Sequence, residues 1–169
     1  MYQLAVFLHV MSAVVWVGGA LFLAMVIIPV SRRLPISPPQ SAALLGLVAR
    51  RFRNVSWAAI AVLVATGLFM TLGHWRVTPV ELARGDTWFT EVLRTKLGLV
   101  LVVIVLSAVH DFALGPRVAD RLAALRQGGA PPEALRSARR WLVWVARINV
   151  LMALTVIALA VLLTRGFPF

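Results

Sequence analysis

The chain has 169 residues, of which 61% are hydrophobic and only 14% charged, and its mean hydropathy of +0.91 excludes a soluble globular domain. A formal net charge of +11 would point to nucleic acid in a soluble protein. Here the arginines fall between apolar runs, so they read as topology signals and a nucleic-acid partner is excluded. With no cysteine in the chain, disulfides, thiolate metal sites and covalent c-type haem attachment are excluded too.

Four apolar runs are long enough for a helix to cross a bilayer, which takes about 20 residues. The sequence therefore predicts an all-α polytopic membrane protein in the lipid bilayer, with residues 1–169 forming one four-helix transmembrane domain. Span one covers about residues 4–29 and contains one histidine, His9, in an otherwise uncharged run. No Lys or Arg precedes it and it is far longer than a signal-peptide core, so it reads as a retained helix. Pro29 ends it, followed by Arg32 and Arg33. Loop one extends to about residue 53 and carries five arginines and no acid.

Span two covers about residues 55–73, with Trp57 at one end and His74-Trp75 at the other, as expected of interfacial residues. Loop two contains Thr78-Pro79-Val80-Glu81, a capping box with proline at the first helical position, which predicts a short surface helix before Gly85. Span three covers about residues 92–114, stopped by Gly115-Pro116. Loop three, residues 117–140, holds six arginines against Asp120 and Glu133, and Gly128-Gly129 and Pro131-Pro132 break it into two helical extensions. Span four covers about residues 141–163, leaving Arg165 in a short tail. Because loops one and three are far more basic than loop two, the positive-inside rule puts both termini on the outer side.

That orientation sets depths. His9 lies roughly 8 Å below the outer face, and Lys96 of span three is at a similar depth. An ionisable group inside the membrane is a functional candidate by default. His9 shares a helix face with Ala13, Trp16 and Ala20. On span two, Ser56, Ile60, Leu63, Gly67, Met70 and His74 form a second stripe, and Lys96, Val103, Ser107 and His110 lie along one seam of span three.

Two functional readings fit these residues. Haem b between the helices takes His9 as an axial ligand, with Lys96 or His74 opposite and Trp16 and Met70 among its neighbours. Copper instead takes Met70 and His74, an i, i+4 pair of thioether and imidazole, with His9 as a third donor. Against both stands a structural reading, in which His9 bonds a neighbouring serine or carbonyl, Lys96 snorkels and His74 is an ordinary interfacial residue.

Near the inner face, His110-Asp111 accompanies Arg147 and Asn149, with His110 and Arg147 as supporting groups for the cofactor on that side. Arg147 needs a partner there: Asp111, a lipid phosphate, or a carboxylate or head group of haem or quinone. Lys96 and His110 are about 21 Å apart along the helix, so one haem iron cannot use both. Small residues on spans one and two permit either a cofactor or a homodimer. With no Walker loop, zinc-protease helix or nucleophile elbow, hydrolase chemistry has no support.

Three stretches, LHVMSAVVWVGG at 8–19, RRFRNVSWAAIAVLVATGL at 50–68 and RTKLGLVLVVIVLSAVHDFALGPR at 94–117, resemble the copper resistance protein D (CopD) family of bacterial inner-membrane proteins. More distantly the chain is similar to HemJ-type protoporphyrinogen oxidases, through the first-helix histidine followed by Trp and Gly and the third-helix Lys-Leu. The resemblance implies a multi-pass bundle that handles copper or haem b. By likeness to the HemJ-type proteins, His9 and Lys96 would hold haem; His74 and the HDFALGPR end of span three fall outside that likeness. The expectation is a haem b protein of the inner membrane acting in electron transfer, with quinone or another redox protein as partner. If it is an enzyme, it is a membrane haem oxidoreductase. Copper transport or resistance is the alternative, and a protoporphyrinogen oxidase-like enzyme a further one.

Overall fold

In the computed structural model, residues 1–35, 37–126 and 132–165 are described. They form four long helices and one short one: α1 (residues 2–31), α2 (38–74), α3 (Pro79–Arg84), α4 (88–126) and α5 (Pro132–Arg165). All four long helices are long and apolar enough to cross a membrane. Most of their large apolar side chains, such as Phe7, Met25, Leu101 and Leu151, are exposed, which suits lipid as the surrounding solvent.

The helices run past the ends of the apolar stretches, and this corrects the expected boundaries. Residues 38–53, read as loop, belong to α2. Gly115-Pro116 does not stop span three, which continues to Arg126, and the two helical extensions expected in loop three are present as the end of α4 and the start of α5 from Pro132. Charge ends an apolar run without ending a helix, because arginine is a good helix former whose long stem can carry its head toward water. The expected break at Gly128-Gly129 and Pro131, and the tail after Arg165, lie outside the described residues.

The chain divides into two compact units, Met1–Glu81 and Leu82–Phe169. In the first, α1 and α2 form an antiparallel hairpin. Ser37 begins α2, its N–H and hydroxyl both donating to Oε1 of Gln40, each at 3.0 Å. Ser41 Oγ then donates to the Ser31 carbonyl at 3.0 Å, tying the start of α2 to the end of α1. The buried seam is built from small and medium side chains: Ala5, Val17 and Ser31 from α1, and Ser56, Ala59, Ile60, Met70 and Thr71 from α2. In lipid there is no hydrophobic drive between helices, so such residues hold them by close packing. Gly19 is the tightest point, since the Phe52 ring occupies the space a Cβ would need.

In the second unit, α4 and α5 pack with Leu93, Val103, Ser107, Ala138 and Ala153 buried. Thr87 caps α4, its hydroxyl oxygen accepting from the Thr90 N–H at 3.2 Å. Arg121 of α4 donates to the Ala134 carbonyl of α5 at 2.6 Å. The predicted surface helix is present as α3: the Glu81 carboxylate accepts from the Thr78 N–H and hydroxyl, both at 2.8 Å, and the Glu81 N–H donates back to the hydroxyl oxygen at 3.2 Å. Arg94 of α4 caps the far end of α3 by donating to the carbonyls of Leu82 and Ala83.

Candidate functional site

His9 sits in the third turn of α1, half-buried against α2. Its Nδ1 is 2.8 Å from the Thr66 hydroxyl oxygen. That hydroxyl has one proton, and the helix takes it: Thr66 Oγ1 donates to the Val62 carbonyl at 2.6 Å, with Leu63 further off at 3.3 Å. A carbonyl can only accept, so both contacts of Thr66 Oγ1 are satisfied together when it accepts from His9 Nδ1–H, the tautomer in which the ring lone pair is on Nε2. Gly67 is beside the same ring, for a Cβ there would lie 3.4 Å from His9 Cε1. A fixed tautomer held by an oxygen behind the ring is the usual arrangement around a ligating histidine.

Along the same face of α2, Met70 is one turn beyond Gly67 and is buried, at 8% exposure. His74 is one turn further and exposed, its ring stacked on Tyr2 with centroids 3.7 Å apart and planes 19° from parallel. Seven residues separate Gly67 from His74, about 10 Å along the helix. Thus His9 and Met70 occupy adjoining levels of the hairpin, while His74 is held at its mouth. Among the described residues, no group of three His, Cys, Asp or Glu side chains converges on a metal position.

Helical widening accompanies several of these side chains. The i→i+5 pattern covers Val14–Gly18, containing Trp16, then Phe69–His74, containing Met70 and His74, and Val109–Leu114, containing His110. Such turns are frequent at functional sites. The α2 terminus is also wide: Trp75 N–H donates to Met70 O at 2.9 Å, Val77 N–H to Thr71 O at 3.1 Å, and Arg76 between them takes a φ of 53°.

The other candidates lie in the second unit. Lys96 is half-buried on α4. His110 Nδ1 and Asp111 Oδ1 are 2.9 Å apart, a pair of chain neighbours with 33% and 18% of their side chains exposed. Arg147 lies over the Trp144 ring, its guanidinium carbon 5.6 Å from the centroid. Sequence reasoning missed two pairings, His9 with Thr66 and Asn149 with Ser107. The Asn149 Nδ2 donates to Ser107 Oγ at 2.9 Å, while its buried Oδ1 has no partner among the described residues.

Compared with known families, residues 46–163 match copper resistance protein D. The match includes Thr66, Gly67 and Met70 but begins after His9. A relative that spans the first helix as well is an uncharacterized protein of Aquifex aeolicus (strain VF5), 28% identical over 170 residues, which cover 99% of this chain and 98% of the relative. No solved structure matches the chain.

Proposed function

The chain belongs to the copper resistance protein D family, and on that premise we propose that it handles copper as cargo within a bacterial inner membrane, with His9 Nε2 and Met70 Sδ as donors. The observation that supports this reading is the His9–Thr66 hydrogen bond of 2.8 Å; with Nδ1 as its donor, the imidazole lone pair is on Nε2. An imidazole and a thioether suit copper, and the soft thioether favours Cu(I) over harder divalent ions. In this reading Thr66 is a positioning residue, and His74, at the mouth of the hairpin, is an entry contact.

The test is anaerobic titration of the detergent-purified full chain with Cu(I) against a chromophoric competitor. One tight Cu(I) per chain is expected, with His9→Ala and Met70→Leu each weakening it at least about tenfold, as loss of a metal contact typically does. Unchanged affinity in His9→Ala would remove the proposal. The haem b reading uses the same nitrogen, and with it electron transfer to quinone, so the same preparation separates the two. A Soret band with acid-extractable haem, lost in His9→Ala, would transfer the site from copper to haem.

A further inference from the structure

The exposed face of α5 carries a series of side chains that the packing of α4 against α5 does not use. Arg136, Arg140, Trp144, Arg147, Leu151 and Leu154 recur at intervals of four, four, three, four and three residues, which places them on one stripe of a helix. All six are exposed, Trp144 at 56% and Leu151 at 64%. The opposite face of α5 is the packed one, with Ala138 and Ala153 buried and Asn149 bonded to Ser107. The stripe is therefore not left over from a helix–helix contact within its unit.

Its chemistry changes in one direction. At the start of α5, Arg136, Arg139 and Arg140 with the single acid Glu133 border an open depression of about 600 Å³. One to two turns on, Arg147 lies across the Trp144 ring. Beyond that the stripe is purely apolar. Arg140 and Arg147 are about 10 Å apart along the axis, and Leu154 is about as far again. Only an amphiphile with an anionic head and a hydrocarbon tail matches both ends. A soluble acidic partner would leave Leu151 and Leu154 unused, and a neutral lipid would leave the guanidinium groups unpaired.

We propose that this face binds one anionic phospholipid, its phosphate between Arg140 and Arg147 and an acyl chain along Leu151 and Leu154. Guanidinium groups present paired donors that fit a phosphate. A guanidinium below the membrane boundary is costly unless it meets an anion, and the Trp144 ring holds that of Arg147 in place without neutralising it. Juxtamembrane arginines are worth enough near an anionic lipid surface that losing two should weaken binding about tenfold or more.

The experiment is native mass spectrometry of the delipidated full chain titrated separately with phosphatidylglycerol and phosphatidylcholine. The expected result is a first phosphatidylglycerol bound about tenfold more tightly than phosphatidylcholine, a preference lost in R140Q/R147Q. The variant R32Q/R33Q removes the same charge from the other unit and should stay within about twofold of wild type. Equal affinity for the two lipids, or equal loss in both double variants, would show only annular lipid and diffuse charge and would overturn the proposal. Should R140Q/R147Q fail to purify as a single species, R147Q alone decides, with about a threefold loss expected and no loss refuting the site.

Discussion

Replacing Thr66 by valine removes one oxygen while keeping the shape of the side chain, so the consequences for His9 can be worked out directly. The variant deletes the acceptor 2.8 Å from Nδ1 and, with it, the Thr66 bond to the Val62 carbonyl. The carbonyl retains its helical N–H partner, so the loss falls on the imidazole. A hydrogen bond of this kind contributes about 1 kcal/mol to stability, and interhelical bonds in membranes average about 0.6 kcal/mol. The hairpin should therefore fold, slightly destabilised. The larger effect is on the ligand: without an acceptor behind it, the proton is no longer confined to Nδ1, and copper affinity should fall about tenfold, the lower end of what supporting contacts to ligating histidines contribute. Thr66→Ser, which keeps the oxygen, should restore it. Nitrogen-15 spectra of labelled histidine report the tautomer independently of copper. If Thr66→Val binds Cu(I) like wild type and His9 keeps its proton on Nδ1, the hydroxyl does not orient the ring and the reasoning fails.

Two further outcomes follow from groups away from His9. Ser107→Ala strands the Asn149 amide, whose Oδ1 already lacks a partner among the described residues, and should cost about 1 kcal/mol in a reversible unfolding measurement; the double variant Ser107→Ala/Asn149→Leu should recover most of that, and additive losses would argue against a coupled pair. The Glu81 carboxyl is held below its ordinary value first by the Thr78 N–H and then by the Thr78 hydroxyl. A carboxylate with a depressed folded value stabilises α3 above its ordinary titration range and loses that effect as pH falls through the lowered value. Hydrogen exchange at the Thr78 amide should speed up on acidification beyond its intrinsic trend, and Glu81→Gln should abolish that pH dependence.

The long helices and the cap of α3 were legible because their causes are local. A run of about 20 apolar residues and the Thr78–Glu81 spacing each carry their own physics. Thr66 was not legible for an equally definite reason. A threonine within a membrane helix ordinarily returns its proton to a carbonyl one turn back, as this one does to Val62, so nothing in Val-Ala-Thr-Gly marks it as a partner for another helix. Only the antiparallel register of α1 and α2 brings its remaining lone pair to a residue 57 positions away. The Ser107–Asn149 pair has the same character. Both residues were noticed as polar within spans, but a separation of 42 positions leaves no sequence spacing from which to join them.

The misread helix ends at Pro29 and Pro116 have a shared explanation. Proline lacks an N–H and its ring crowds the carbonyl one turn back, so within a regular helix it costs about 3 kcal/mol or more, and a stop is the natural reading. In the folded chain each proline instead follows a stretch of wider helix, Leu23–Ile27 before Pro29 and Val109–Leu114 before Pro116. Widening offsets the crowded carbonyls and shifts their partners by one residue. The helix can then pass through: α1 closes only after Ser31, where Arg32 N–H turns back to Pro29 O at 3.3 Å, and α4 runs ten residues past Pro116 to Arg126. At Gly115 a Cβ would meet the His110 carbonyl at 3.3 Å, so glycine beside the proline serves the passage rather than the stop. The wide turn that lets α4 continue also contains His110 and Asp111, which ties the placement of that pair to the presence of Pro116.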